Sequence, residues 1–497
     1  MGMIRPSTNI LLRLRNSRWY LLLAPALVVV FISLPGIGQG DFRTDSHVYV
    51  AVVLEMMRSG DWIHPMQGNV PYHNKPVLGF WMVAPFIAVF GPTLIAVRIA
   101  MILVAAMCAS AMTGMCREMV SARVALTAGL VFALTYEVFR YTHAYSLDLP
   151  MLLFMVLSVW AIVHAAGIRR GEARSGWWVV LSGAPMGLAL MTKPLLGLLI
   201  LLPMVVWLVL VKRTRLVPWI GGLVVVALMI AAPWHLEMMR AYPADSATPF
   251  IDNYLLAQSV DRLSTGSTHV TEPVWYYPVE LAQSYLPWVV FLVGGLVWMG
   301  LKGRSITGRW QGDLLALLWA GAWICVMSLS AGKSMRYIVP VYPALALFVA
   351  GVLVHMPPRG RFTPILLPWF LGLIGLVGFF SNIEFHSPAP TSRGELFAFL
   401  DEYSEGTTKD WPRIWIAPDQ IRTAAHFSIE RGIHPYVAMS NETPTGGEPA
   451  VGELMLYRTP SRYAVREGDT VLGEFGVWVV TRLERDWDGV YSMAGNE

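Results

Sequence analysis

The segment DFRTDSHVYVAVVLEMMRSGDW, residues 41–62, places charged side chains directly after an apolar run. The charged positions are Asp41, Arg43, Asp45, Glu55, Arg58 and Asp61. The apolar stretch at 48–57, followed by a glycine at position 60, predicts a helix that begins at Asp45 and ends at Ser59. Such a helix beside a hydrophobic run is apolar enough to lie along a membrane surface.

The composition excludes most soluble classes. Of 497 residues, 55% are hydrophobic and only 14% are charged, whereas a soluble domain carries about 25% charged residues. Several apolar stretches reach the ~20 residues that span a bilayer. The net charge of +4 is spread thinly, which indicates membrane topology rather than nucleic-acid binding. The three cysteines have neither metal-ligand nor disulfide spacing; they are Cys108, Cys116 and Cys325.

The first apolar run, residues 19–35, follows several arginines. This pattern predicts an uncleaved membrane helix whose start is cytoplasmic. We predict further spans at 93–117, 121–139, 149–168, 177–192, 194–211, 216–233, 281–301, 311–330, 337–355 and 362–381. With the short apolar run at 77–90 left as an interface segment, the chain is an α-helical polytopic protein with about 11 to 13 spans. Arginine and lysine cluster on alternate connections, which places the long loops 36–76 and 234–280 on the outer face.

The last part of the chain differs from the rest. Residues 1–381 form the predicted membrane domain, and residues 382–497 contain more polar residues and no further span. GELFAFLDEY predicts a helix, and RIWIA, YVAM, ELMLY and VWVVTRL predict short strands. We therefore expect a small α/β domain on the outer face, periplasmic in a bacterium.

Asp45 has two interpretations. As the residue before a helix it is a typical N-cap, with a carboxylate that accepts a backbone N–H. As a carboxylate at the boundary between water and lipid, it is a candidate general base. The two roles are compatible.

Further charged residues gather at predicted outer turns. The acid is Asp148 in YSLDLP; the cations are Lys75, Lys193, Lys333, Arg336 and Arg262, the last beside Asp261. Each cation alone could be a water-exposed charge on a loop, and Lys75 could extend its ammonium from the interface into water. Together they run against the usual cytoplasmic bias of positive charge, which fits a site for an anionic lipid headgroup at the outer surface.

The ordered motifs resemble the polyprenyl-phosphate-dependent GT-C glycosyltransferases. The first outer loop has Asp45, Tyr49, SGDW at 59–62, Pro65, Lys75-Pro76 and Trp81. LDLP around Asp148, TKP around Lys193, PWHL at 233–236, EPVWYYPVELAQSYLPW at 272–288 and RYIVPVYPALAL at 336–347 follow in the family's order. The nearest branch is the aminoarabinose transferase (ArnT)-like group, which is related to the protein O-mannosyltransferases.

The resemblance implies a fold and a reaction. The fold is a GT-C membrane bundle, and the donor is a sugar on a polyprenyl phosphate such as undecaprenyl phosphate. Asp45 matches the base that activates the acceptor for inverting displacement, and Asp148 matches a second outer acid. The implied donor-phosphate residues are Lys75, Arg262, Lys193, Arg336 and Tyr337; the implied acceptor or sugar pocket contains Tyr49, Trp62, Tyr72 and Asn74.

The sequence departs from the family pattern at three positions. Ser46 replaces the acid that often follows the first aspartate, Asn74 replaces the acid before KP, and Ser259 replaces a histidine. The last two positions are linked to a metal in the aminoarabinose enzymes, so we expect no cofactor and no metal at these positions; a divalent metal held by other residues is the alternative. The sugar is also left open, because anionic pocket residues would suit an amino sugar and these replacements remove them.

The acceptor is also open. A lipid or glycan such as lipid A or lipopolysaccharide, on the outer face of a bacterial inner membrane, is our first expectation. A protein hydroxyl is an alternative acceptor for the same donor. A lipid or solute transporter is the alternative from another class, although it would favour mid-span charges and two matching halves.

Overall fold

The computed structural model describes most of the membrane region and the strands near the C-terminus. The described residues are 19–38, 45–67, 70–193, 195–246, 248–254, 272–303, 305–355, 372, 399–400, 402, 414–416, 436–437, 454–458, 469–475 and 478–482. They fall into two compact units. The first comprises Met1–Ile37, Arg98–Ala241 and Phe250–Ile383, and the second comprises Gly38–Val97, Tyr242–Pro249 and Glu384–Glu497.

Helices dominate the chain. In chain order they are α1 (Trp19–Ser33), α2 (Ser46–Ser59), α3 (Leu78–Phe90), α4 (Leu94–Arg117), α5 (Ala122–Ala133), α6 (Tyr136–Thr142), α7 (Asp148–Ala166), α8 (Trp177–Leu181), α9 (Gly183–Leu190), α10 (Leu201–Leu210), α11 (Trp219–Ala241), α12 (Tyr276–Ser284), α13 (Trp288–Lys302), α14 (Trp310–Leu329) and α15 (Tyr342–His355). Short 3-10 helices cover Leu196–Ile200, Thr214–Leu216 and Met335–Val341.

Five helices of the described residues are long and apolar enough to cross a membrane, or seven if each bent pair is one span. The five are Leu94–Arg117, Asp148–Ala166, Thr214–Ala241, Trp310–Leu329 and Met335–His355. Shorter apolar helices lie at four further predicted spans or interface segments: Trp19–Ser33, Leu78–Phe90, Trp177–Leu190 and Leu196–Leu210. The predicted span at 362–381 lies almost entirely outside the described residues. The chain is thus a multi-pass membrane protein.

Two predicted continuous spans are broken helices. The span predicted at 121–139 consists of α5 and α6, bent by 56°, and the span predicted at 281–301 consists of α12 and α13, bent by 117°. Thr135 has extended backbone angles before α6. Pro287 lies at the second break, and proline cannot donate the backbone hydrogen bond that would continue a helix. Hydropathy alone does not predict either bend.

Small residues allow close helix packing in the first unit. α9 packs against α11 and α7, and α15 packs against α5. Gly183 and Gly187 are spaced as in the small-xxx-small motif of membrane helices. A Cβ at Gly183 would lie 2.3 Å from the Leu223 carbonyl oxygen, and one at Gly187 would lie 2.8 Å from the Ala227 carbonyl oxygen. The two backbones therefore approach as closely as glycine permits.

The second unit contains the outer-loop helix that the opening segment predicts. α2 runs from Ser46 to Ser59, and Gly60 ends it in the left-handed conformation with φ 74°. The helix is buried along most of its length, and Glu55 near its end pairs with Arg58. A two-strand antiparallel hairpin follows, formed by β1 (Met66–Gln67) and β2 (Val70–Pro71).

The C-terminal part of the second unit contains a five-stranded mixed sheet. Its order is β4-β3-β5-β7-β6, with β3 (Ile414–Ile416), β4 (Tyr436–Val437), β5 (Leu454–Arg458), β6 (Thr470–Phe475) and β7 (Trp478–Arg482). β3 is parallel to β4 and β5, whereas β7 is antiparallel to β5 and β6. Four strands match the predicted segments, and β6 has no predicted counterpart. Most of the predicted helix at 394–403 lies outside the described residues.

Candidate functional site

A buried ion pair joins two of the predicted site residues in the first unit. Asp148 is the first residue of α7, and Lys193 follows α9, 45 positions later. Lys193 Nζ donates to Asp148 Oδ1 at 2.5 Å, and the two residues are only 7% and 4% exposed. The interpretation of Lys193 as a loop cation in water is therefore wrong. A charged pair in this setting is costly unless each partner meets the other.

Local structure holds both partners of the pair in place. Ser146 Oγ lies 3.2 Å from the Asp148 backbone nitrogen and 3.3 Å from Asp148 Oδ2. The start of α7 adds the positive end of a helix dipole beside the carboxylate. Lys193 Nζ lies 5.0 Å from the centre of the Tyr337 ring, a cation–π distance. The ammonium is thus set between a carboxylate and an aromatic face.

The turn that carries Arg336 and Tyr337 is fixed by two aromatic side chains. The Tyr277 hydroxyl donates to the Ser334 carbonyl at 3.2 Å and accepts from the Ser334 N–H at 3.1 Å. Trp323 Nε1 donates to the Tyr337 carbonyl at 2.7 Å. The motif at 272–288 therefore supports the motif at 336–347 through backbone contacts, which sets the position of both candidate phosphate residues.

The first unit contains a second ion pair that the sequence analysis does not predict as part of the site. Glu137 and Arg140, on α6, form an ion pair at 2.6 Å, with the carboxylate buried. Arg140 also lies over the Tyr141 ring, 5.1 Å from its centre. The available signal was an acid inside a predicted span, which is a functional candidate by default.

The N-cap interpretation of Asp45 is wrong for its side chain. The Asp45 carbonyl accepts the first helical hydrogen bond, from the Tyr49 N–H at 3.0 Å. Its backbone angles are φ −87° and ψ 5°, and its carboxylate makes no capping hydrogen bond. A capping side chain usually needs an extended backbone to reach the first amides of the helix. Instead, the Tyr49 hydroxyl donates to Asp45 Oδ2 at 3.4 Å.

Aromatic residues line the described part of this outer loop. The Phe80 ring lies 5.9 Å from Tyr49 and 6.1 Å from Tyr72, between centroids. The loop thus brings two of the predicted pocket tyrosines onto one phenylalanine. Lys75 is 6% exposed and its ammonium donates to the Asn74 carbonyl at 2.9 Å. The prediction that Lys75 extends into water is therefore wrong.

The SGDW segment forms a compact turn. Trp62 is partly exposed, and its carbonyl accepts a hydrogen bond from Trp81 Nε1 at 2.8 Å. Asp61 Oδ1 accepts from the backbone N–H groups of Ile63 and His64 at 2.9 and 3.0 Å. Partial burial of Asp61 opposes its ionisation, but these hydrogen bonds outweigh that effect and lower the pKa of its carboxyl.

We expect Asp61→Ala to loosen this turn without unfolding the protein. Losing a side chain that caps backbone N–H groups costs about 1 kcal/mol locally, so amides at 61–67 should exchange roughly fivefold faster. Folding lowers the pKa of the Asp61 carboxyl. The stabilisation that this carboxylate provides is therefore fully present above its pKa in the unfolded chain, and it is lost as the pH falls through its pKa in the folded protein. Hydrogen–deuterium exchange by mass spectrometry measures both. Asp61→Asn, which keeps the acceptor oxygen, is the control; equal exchange in the wild type and Asp61→Ala would contradict the prediction.

The structure divides the predicted site residues between the two units. Asp148, Lys193, Arg336 and Tyr337 gather in the first unit; Asp45, Tyr49, Trp62, Tyr72, Asn74 and Lys75 belong to the second. Arg262 lies outside the described residues. Among the residues that are described, no group of three or more His, Cys, Asp or Glu side chains has the arrangement of a metal site.

Comparisons with known proteins identify proteins of similar sequence. A family model described as dolichyl-phosphate-mannose-protein mannosyltransferase matches residues 74–236. An undecaprenyl phosphate-alpha-4-amino-4-deoxy-L-arabinose arabinosyl transferase of Pseudomonas fluorescens is 29% identical over 75% of this chain and 67% of its own length. The corresponding protein of Edwardsiella ictaluri is 28% identical over 67% of this chain and 59% of its own length.

A solved structure shows the same fold. The crystal structure of ArnT from Cupriavidus metallidurans bound to undecaprenyl phosphate superposes with a TM-score of 0.68 at 19% identity. The superposition covers 96% of this chain and 99% of that one. The sequence matches are shorter: this chain spans about three fifths to two thirds of the length of the two arabinosyl transferases. The chain therefore has the fold of the solved ArnT structure, and its sequence is similar to curated arabinosyl transferases that use undecaprenyl phosphate carriers.

Proposed function

We propose that the protein transfers a sugar from a polyprenyl phosphate carrier, of the undecaprenyl type, to a lipid or glycan acceptor such as lipid A. The first candidate sugar is the one that the relatives' names print, 4-amino-4-deoxy-L-arabinose. The reaction proceeds at the periplasmic face of a bacterial inner membrane. Residues 1–381 form the transferase domain, and residues 382–497 form a periplasmic α/β domain.

The observation that carries this proposal is the buried Asp148–Lys193 pair beside Tyr337. A departing phosphate gains negative charge, and fixed positive groups stabilise that charge where it develops. Lys193 is one of the cations proposed to hold that phosphate, and its ammonium pairs with Asp148 and lies 5.0 Å from the centre of the Tyr337 ring. A pair held this far from water is arranged for such a role.

The proposed displacement needs a base as well as a cationic site. The Asp45 carboxylate takes the proton of the acceptor hydroxyl, whose oxygen attacks the anomeric carbon. The bond from that carbon to the phosphate oxygen breaks, with inversion, and polyprenyl phosphate leaves. The resemblance implies that the residues holding the phosphate are Lys75, Arg262, Lys193 and Arg336. Tyr49, Trp62, Tyr72 and Asn74 form the wall of the acceptor or sugar pocket.

A donor panel tests the function. Purified full-length protein is incubated with radiolabelled sugars on undecaprenyl phosphate, including 4-amino-4-deoxy-L-arabinose, with membrane extract or purified lipid A as acceptor. Transfer of label from one donor to a lipid acceptor supports the proposal, and transfer to protein corrects the acceptor. Release from no donor with any acceptor would contradict it and favour a transporter.

We also propose that transfer needs no divalent metal. Asn74 and Ser259 replace family residues with poor metal ligands. We expect activity to change by less than about twofold in EDTA, whereas removing a catalytic metal costs about a hundredfold or more. The control restores excess Mg²⁺ or Zn²⁺ to the treated protein. A large loss in EDTA that either ion reverses would contradict the prediction.

A further inference from the structure

A cavity of about 390 Å³ lies in the first unit, at the end of α7 remote from Asp148. Four of its lining residues are arginines: Arg117, Arg169, Arg170 and Arg174. Arg117 ends α4, and the other three follow α7. The 19 residues of α7 separate this cavity from Asp148 by about 28 Å, at 1.5 Å a residue. It is therefore distinct from the candidate transferase site.

The lining of the cavity contains four arginines and one acid. The acid among them is Glu118, and Glu118 Oε1 already lies 3.0 Å from His164 Nδ1. Arg174 is anchored by its backbone N–H, which donates to the Ala165 carbonyl at 2.7 Å. Its side-chain Nε is buried and has no hydrogen-bond acceptor among the described residues. Such a guanidinium group fits an external phosphate, which it can bind with two parallel hydrogen bonds.

The floor of the cavity is apolar. Leu21 and Leu22 of α1 contribute to it, and the Trp160 ring packs so closely on Gly114 that an added Cβ would lie 2.4 Å from the ring. A small inorganic anion needs no such surface. An anionic group joined to a hydrocarbon chain does, because its apolar part is then removed from water.

Tryptophans mark the depth of this cavity in the membrane. Trp178 lies 4.8 Å from His164, and Trp177 lies 5.4 Å from Trp219, between ring centres. Trp177 and Trp178 are exposed. Exposed tryptophans beside basic residues are typical of the interface between lipid tails and headgroups. The arginines therefore lie at the level where lipid phosphates are found.

We propose that this cavity binds the phosphate headgroup of an anionic phospholipid. Arg170 and Arg174 hold the phosphate, and the glycerol and first acyl carbons lie on Leu21, Leu22 and Trp160. Basic pockets between helices at this face of a membrane protein are suited to such headgroups. The site would tie the protein to the leaflet opposite its transferase site.

Native mass spectrometry of the full-length protein in detergent tests the proposal. Phosphatidylglycerol is titrated against the wild type, the double variant Arg170→Gln/Arg174→Gln and the control Arg215→Gln. Arg215 is an exposed arginine that does not line the cavity. We expect the double variant to bind one phosphatidylglycerol about tenfold or more weakly than the wild type, since each guanidinium–phosphate contact is charge-assisted. The affinity of the control for that lipid should be unchanged.

Further arms of the experiment distinguish the alternatives. Equal retention by the double variant and the control would overturn the proposal, as would equal binding of zwitterionic phosphatidylcholine. Displacement by millimolar inorganic phosphate would overturn the lipid assignment in favour of a soluble phosphate ligand. If the double variant lost its monodisperse peak or its wild-type melting temperature, Arg170→Gln alone, at an exposed position, would decide by the same criteria.

Discussion

Replacing Lys193 with methionine should both destabilise the protein and abolish sugar transfer. The change leaves Asp148 as an uncompensated carboxylate in a site where both residues are almost fully buried. Removing one partner of a buried ion pair typically costs about 3–5 kcal/mol. Denaturant unfolding in detergent measures the stability, and the donor-release assay measures the transfer.

A second substitution separates the two effects. In Asp148→Asn/Lys193→Met both charges are gone at nearly constant volume, and such neutral pairs often regain the stability that one substitution loses. We expect the double variant to unfold near the wild type and still fail to transfer sugar. Arg240→Met, which breaks the exposed Glu237–Arg240 pair, is the control and should change neither property. A stable double variant with full transfer would show that the pair is structural only.

The sequence predicts individual elements well because membrane helices need long apolar runs. The helices at 94–117 and 148–166 agree with the predicted spans within a residue or two. Hydropathy does not encode the 56° and 117° bends, which depend on local backbone conformation. β6 escapes prediction because an irregular register between Val471 and Gly473 interrupts the strict alternation on which strand prediction rests.

The candidate site is predictable as a set of residues but not as a set of contacts. Asp148 and Lys193 stand out because each is charged beside an apolar run, but their pairing joins residues 45 positions apart. Their burial depends on how α7 and α9 pack. Glu137 carries the signal of an acid inside a predicted span, but hydropathy merges α5 and α6 into one span and does not show the break beside it. Its pairing with Arg140 one helical turn later supplies the partner that such an acid requires.

Asp45→Asn should reduce transfer by about a hundredfold to ten-thousandfold, the range that a general base contributes. This substitution is informative because asparagine keeps the volume and polarity of the side chain but cannot accept the proton of the acceptor hydroxyl. A purely structural role of Asp45 would therefore survive it, while a proton-accepting role would not. The introduced amide also keeps an oxygen for the Tyr49 hydroxyl, which in the wild type donates to Asp45 Oδ2 at 3.4 Å. Stability and membrane insertion should stay at wild-type levels.

Tyr49→Phe provides the matched control for Asp45. It removes the same hydrogen bond from the other side and leaves the carboxylate in place, so its cost should be that of one neutral-to-charged hydrogen bond, about tenfold in rate. Single-turnover release of labelled sugar from undecaprenyl phosphate compares the three proteins at saturating acceptor. A much larger loss in Asp45→Asn than in Tyr49→Phe requires the carboxylate itself. Equal, small losses in both variants would reduce Asp45 to a positioning residue and leave the base to be found elsewhere.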